Sequence, residues 1–231
     1  MKLYAIVPGL LQILAWPFTH AILRFNGTFT VHGGEHLKNI KGSAVIVSNH
    51  VNDLDPVFQR AVQPFLSKPL FWVARHRKVY DEHGMEQFTG WRGLLYNDWF
   101  FRSWGAYPAY KGTGNYQQAL RHHINLLKDG FRVGIFPQGG KAKFLGEGAP
   151  AHGGAVFLAQ YMKVPLIPIA IKGTHRVGPK KLFLEHTDFE VFILPPLIVG
   201  PEVTEYKQVA QEVMRTVWEA VYQQSSTSPL A

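Results

Sequence analysis

Two residues five positions apart, His50 and Asp55, stand in the run Ser48-Asn49-His50-Val51-Asn52-Asp53-Leu54-Asp55-Pro56. An imidazole that gives one ring nitrogen to a carboxylate can act as a base through the other. The carboxylate fixes the tautomer and stabilises the charged ring. Further along, Gly139-Gly140 precede Lys141, with Lys143 close by. Paired glycines let backbone N–H groups approach an anion, and lysine adds point charge for a phosphate. Lys111 is another basic residue at the end of an apolar stretch. Each feature also has a plainer reading. His50 can be a loop histidine and Asp55 a helix cap; Gly139-Gly140 can be a turn and the lysines solvated. The residues alone leave both readings open.

The elements around these residues bring them together. Ala44 to Ser48 is β-branched and apolar and reads as a strand. Asp55-Pro56 reads as a helix start, with Asp as N-cap and Pro at the first helical position, and the helix runs to Gln63. Further strands are expected over Gly27–Val31, Leu70–Ala74, Gly105–Tyr110, Arg132–Phe136, Val164–Ile171 and Phe189–Leu194. Pro108 marks an edge strand, and Pro165 with Pro168 calls for an irregular or one-sided edge. Helices are expected from a Thr113 cap to Asp129-Gly130, over Gly153–Met162 and over Thr204–Gln223. The alternation predicts an α/β fold, a mixed, largely parallel sheet flanked by helices. His50, Lys111 and Lys141 each follow a strand closely, where α/β proteins build their sites.

Composition narrows the chemistry. Among 231 residues there is no cysteine, which excludes disulfides, cysteine-ligated zinc and a thiol nucleophile. The net charge of +8 suits an anionic partner, and the abundant aromatic residues suit either nucleic-acid stacking or a membrane interface. The basic residues fall in separate loops, and no RNA-binding aromatic signature is present, which argues against nucleic acid. No G-x-S-x-G elbow occurs, Gly134 to Lys141 misses the P-loop spacing, and Gln117 stands where a dinucleotide fingerprint needs its third glycine. His122 and His123 are helical neighbours pointing about 100° apart, so no metal face is expected.

Leu3 to Phe25 is the most apolar stretch, interrupted by Pro8-Gly9 and Pro17 and carrying Gln12, Thr19 and His20. Three readings stand: one or two short helices in the membrane interface, a true span, or a helix packed on the core. No signal-peptide cleavage site is seen, and the glycosylation match at Asn26-Gly27-Thr28 is read as chance. The basic run Arg75-His76-Arg77-Lys78 is either a solvated loop or a head-group contact. The aromatic stretch Gly90 to Ser103 is either packed between layers or in touch with lipid. The expected organisation is a membrane-associating helical segment over 1–25, one domain over 26–224 and a disordered tail over 225–231.

Asn49-His50 followed, after four intervening residues, by Asp55 resembles the N-H-x4-D signature of the glycerolipid acyltransferases, with the 1-acyl-glycerol-3-phosphate acyltransferases as the nearest subgroup. Gly105 to Lys111 is similar to that family's second block, Phe136-Pro137-Gln138-Gly139-Gly140-Lys141 to its third (F-P-E-G-T-R), and Val164-Pro165-Leu166-Ile167-Pro168 to its fourth. The strand and turn around Val31 to Leu37 resemble what usually precedes the first block. The resemblance spans roughly residues 28 to 175. It departs at Gln138 for glutamate, Gly140 for threonine, and Lys111 and Lys141 for arginine; lysine lacks the bidentate fork.

The resemblance implies direct acyl transfer, with Asp55 rather than Asp53 holding His50 as general base. The acyl donor is a thioester of coenzyme A or acyl-carrier protein, serving as co-substrate with no cofactor or metal. Asn49, Lys111, Gln138, Gly139, Gly140 and Lys141 are the implied substrate-binding residues. The implied partners are membrane lipids, a lysophospholipid and an acyl-carrier protein if that is the donor, at the cytoplasmic face of a membrane. The departures leave two alternatives: a different lipid-like alcohol as acceptor, or a non-catalytic lipid-binding relative.

Overall fold

The computed structural model describes residues 2–25, 27–75, 98–110, 114–142, 150–175 and 177–223. The basic run after Arg75, most of the 90–103 aromatic stretch, Thr113, Lys111, Lys143 and the tail lie outside them. Seven strands form one sheet: β1 (Phe29–His32), β2 (Ala44–Ser48), β3 (Leu70–Arg75), β4 (Ala106–Ala109), β5 (Arg132–Ile135), β6 (Leu166–Lys172) and β7 (Phe189–Ile193). Their spatial order is β1-β7-β6-β2-β5-β3-β4. Strands β2 to β6 all run one way, while β7 pairs antiparallel with β6 and β1 parallel with β7. The mixed, largely parallel sheet is the one expected, and β4 with Pro108 is an edge strand.

Strand β2 is buried along its whole length, because helices cover both faces of the sheet. Alternation along the strands separates two cores. Val45, Val47 and Val133 face α6 (Arg121–Lys128), α7 (Gly154–Met162) and α9 (Tyr206–Gln223). Ile46, Ile167, Ile169 and Ile171 face the side holding Phe58 and Ala61 of α3 (Asp55–Ala61) and Leu37 of α2 (Gly34–Lys38). Each fully buried aliphatic side chain contributes about 1.5–3 kcal/mol of transfer free energy. The buried face of α9 is made by Ala210, Val213, Met214, Val217, Trp218 and Val221.

Two expectations take a definite form and one is corrected. The prolines leave strand β6 irregular on its β7 side, although the strand lies inside the sheet. Pro165 precedes the strand and accepts from the Val45 N–H. Pro168 accepts from the Leu194 N–H just past the end of β7, so its missing donor falls where the ladder is already finishing. The expected 113–129 helix is two helices, α5 (Tyr116–Ala119) and α6, and Asn115 is the observed cap, its side chain accepting from the Gln117 N–H. The amino-terminal stretch is one continuous helix, α1 (Ile6–Phe25), after a 3-10 turn, and it contains Pro17.

The polar residues of α1 explain its orientation. Gln12 is buried, donates to the carbonyls of Leu70 and Trp104, and accepts from the Leu70 N–H. Trp16 donates to the Gln63 carbonyl and His20 to that of Ala61. Tyr4 bonds Asp129. Burial lowers the His20 pKa, favouring the neutral ring. The other face of α1 bares Val7, Leu10, Leu14, Phe18 and Phe25, continuing from Leu3. Trp99 on α4 (Asp98–Ser103) and Phe183 and Leu184 on α8 (Pro179–Leu184), two helices that contact α1, are exposed as well.

Candidate active site

The site lies where the sheet's connections diverge. The chain leaving β2 passes over one face through α3, and the chain leaving neighbouring β5 passes over the other through α7. Adjacent parallel strands whose connections part in this way open a crevice at their carboxyl ends. The loops after β2, β5 and β6 meet there.

His50 begins the β2–α3 loop. Its Nδ1 lies 2.9 Å from Asp55 Oδ2, and its side chain is 17% exposed against 0% for Asp55. The same Asp55 oxygen accepts from the backbone N–H groups of Val51 at 2.6 Å and Asn52 at 2.8 Å. Asp55 is therefore not the N-cap that the sequence suggested. Leu54 holds that position without a capping side-chain bond, and the carboxylate turns back to close the loop. An acceptor-only carboxylate on Nδ1 requires the proton there and leaves Nε2 with its lone pair. The ring of His50 stacks on Phe136 with centroids 4.2 Å apart, which fixes its plane.

The β5–α7 loop supports the same histidine. Gln138 accepts from the His50 N–H at 2.9 Å, and the Ala142 N–H donates to the His50 carbonyl at 2.7 Å. Gly139 has φ +69°, and a Cβ there would come within 2.9 Å of the His152 ring. Both conformation and space therefore demand glycine at this position. Gly140 follows in the same bend. Lys141 Nζ lies 2.9 Å from Asp53 Oδ2, with both side chains about half exposed.

Beneath the loops, a buried network orients α3. Gln59 donates to Ser48 Oγ at 2.7 Å and accepts from Trp72 Nε1 at 2.9 Å, tying α3 to β2 and β3. A Cβ on Gly134 would sit 2.3 Å from Gln59 Oε1, so β5 needs glycine where this side chain crosses it. Asn49 differs from its expected role. It is fully buried and gives both ends of its amide to the backbone of Ile171 at 2.8 Å, so it clamps β2 to β6 rather than facing substrate. Lys111 lies outside the described residues.

An open cleft of about 520 Å³ adjoins the pair, lined by Val51, Asn52, Asp53, Lys141, Ala142, His175 and Val177. Asp53, His175 and Asn52 were not singled out from the sequence as site residues. Asn52 donates to the carbonyls of Thr174 and Val177, pinning the β2–α3 loop to the loop after β6. The carboxyl end of β6 was the signal that could have located His175. The His50–Asp55 pair, the glycine loop ending in Lys141 and the open cleft thus stand together at the carboxyl ends of β2, β5 and β6.

The fold and the site define an α/β protein with a crevice at the carboxyl ends of its parallel strands. Residues 28–172 match the acyltransferase family model, and the chain belongs to that family. It is 36% identical over 83 residues to the 1-acyl-sn-glycerol-3-phosphate acyltransferase of Bacillus subtilis (strain 168), a match covering 35% of this chain and 40% of that protein's length. The fold is similar to the crystal structure of the 1-acyl-sn-glycerophosphate (LPA) acyltransferase of Thermotoga maritima, with TM-score 0.61 and 17% identity over 97% of this chain and 99% of that one.

Proposed function

We propose that the protein transfers a fatty acyl group from an acyl thioester, on coenzyme A or acyl-carrier protein, to the free hydroxyl of 1-acyl-glycerol-3-phosphate. The observation that carries this reading is the 2.9 Å contact of His50 Nδ1 with buried Asp55 beside a cleft containing Lys141. The activities of the two relatives support the choice of acceptor.

In the proposed reaction, His50 Nε2 takes the proton of the acceptor hydroxyl as its oxygen attacks the thioester carbonyl. Asp55 stabilises the imidazolium, and the tetrahedral intermediate collapses by breaking the C–S bond. The imidazolium returns its proton to the departing thiolate. No acyl-enzyme forms, in keeping with a chain that has no cysteine. Gly139 and Gly140 let the backbone approach the head group, and Lys141, joined by Lys111, balances its charge. Residues 26–224 are the catalytic domain in this reading, with 225–231 a tail. Residues 1–25 seat it on the cytoplasmic face of the membrane by the exposed apolar stripe of α1.

The test is thiol release in mixed micelles containing lysophosphatidate, with acyl-CoA and acyl-carrier protein as alternative donors. Because the protein contributes no thiol, a thiol reagent reports only the freed carrier. Acceptor-dependent release with either donor supports the reading, and release independent of lysophosphatidate rejects it.

A further inference from the structure

We propose that Asp53 is a specificity-determining residue of the acceptor site. It occupies Lys141 with a carboxylate that an incoming phosphate must replace, and so handicaps a doubly charged phosphomonoester relative to a singly charged phosphodiester. This inference rests on the acyl-transfer reading above.

Asp53 and Lys141 come from different loops and meet at 2.9 Å on the wall of the cleft. Asp53 lies three residues after His50 and two before Asp55, within the loop that carries the pair. That loop is not free to withdraw it. Asn52 bonds the carbonyls of Thr174 and Val177 and accepts from the Leu54 N–H, while Asp55 binds the Val51 and Asn52 N–H groups. The Asp53 carboxylate can rotate away from Lys141, but its backbone stays at the rim, so the negative charge remains close to any anion that Lys141 receives.

The ion pair itself is exchangeable, because half-exposed pairs of this kind are weak. What persists is repulsion between the retained carboxylate and the ligand. A phosphomonoester carries about −1.5 to −2 at pH 7, its second pKa being about 6. A phosphodiester carries −1. At a separation of about 5 Å in a water-like dielectric, the additional half to one charge corresponds to roughly a two- to fourfold difference in affinity.

The experiment uses the full chain in mixed micelles and two acceptors with the same acyl chain, lysophosphatidate and lysophosphatidylglycerol. kcat/KM and equilibrium binding are measured for both with the wild type, Asp53→Asn and Asp53→Glu. Asp53→Asn should raise the monoester-to-diester ratio about two- to fourfold, in KM rather than kcat, and Asp53→Glu should keep the wild-type ratio. An unchanged or lowered ratio in Asp53→Asn, or an equal change in Asp53→Glu, overturns the proposal. If the wild type transfers acyl groups to neither acceptor, the acyl-transfer reading fails, and the binding ratio alone decides on Asp53. Failure of both lysolipids to bind the wild type overturns the Asp53 proposal as well.

Discussion

Replacing Asp55 with asparagine separates the charge of the carboxylate from its geometry. Asp55 Oδ2 accepts from His50 Nδ1 and from the N–H groups of Val51 and Asn52. In Asp55→Asn the amide oxygen must take that place, because an NH₂ group there would face two backbone donors. The three acceptor contacts and the His50 tautomer therefore survive, and what disappears is the negative charge beside the imidazolium. A hydrogen bond to a charged group contributes about 1.5–3 kcal/mol, against about 1 kcal/mol for a neutral one. Loss of the difference, about 0.5–2 kcal/mol, lowers kcat by roughly 2- to 30-fold. KM for the acceptor should change little, since the phosphate is assigned to Lys141. The new NH₂ group would occupy the site of Oδ1, which is buried without a hydrogen-bond partner among the described residues. Stability should therefore fall by about 1–3 kcal/mol. The assay is steady-state thiol release, with circular dichroism and chemical denaturation establishing that the variant is folded at the assay temperature. A kcat within twofold of wild type would refute the reasoning, as would a loss confined to KM.

Other consequences can be checked independently. Gln138→Ala leaves the His50 N–H without its acceptor, so unfolding in denaturant should show a loss of about 1–3 kcal/mol, accompanied by a fall in kcat. Burial lowers the His123 pKa to about 4, below its unfolded value near 6.5. The unfolded chain then binds the extra proton, so stability is fully present above pH 6.5 and is lost as pH falls toward 4. Between pH 7.5 and 4.5 this amounts to about 2–3 kcal/mol, and His123→Leu should flatten the pH dependence of urea unfolding by that amount. Leu14→Glu with Phe18→Glu, on the exposed stripe of α1, should lower sedimentation with anionic vesicles more than tenfold while leaving the unfolding midpoint nearly unchanged.

The sheet was readable because its strands are short apolar runs bounded by glycine, proline and polar residues. Ala44 to Ser48 was delimited to the residue. The irregular side of β6 was legible because a proline's lost donor is visible in sequence, whereas the early end of β7 beside it is not. The readings of the amino-terminal stretch stayed open because Pro17 can break a helix, yet a helix held on one side by Gln12, Trp16 and His20 tolerates it. In the site, His50 with Asp55 was legible because both lie in one local segment. The role of Asn49 was not, since its partner Ile171 is 122 residues away. The same limit hid the pairing of Asp53 with Lys141 across 88 residues.

The most direct measurement is the rate of carrier-thiol release by His50→Ala with lysophosphatidate as acceptor, in a variant whose circular dichroism matches wild type. If His50 Nε2 is the base, kcat falls by about 10²- to 10⁴-fold. Release near the wild-type rate would contradict the assignment and remove His50 from the chemistry.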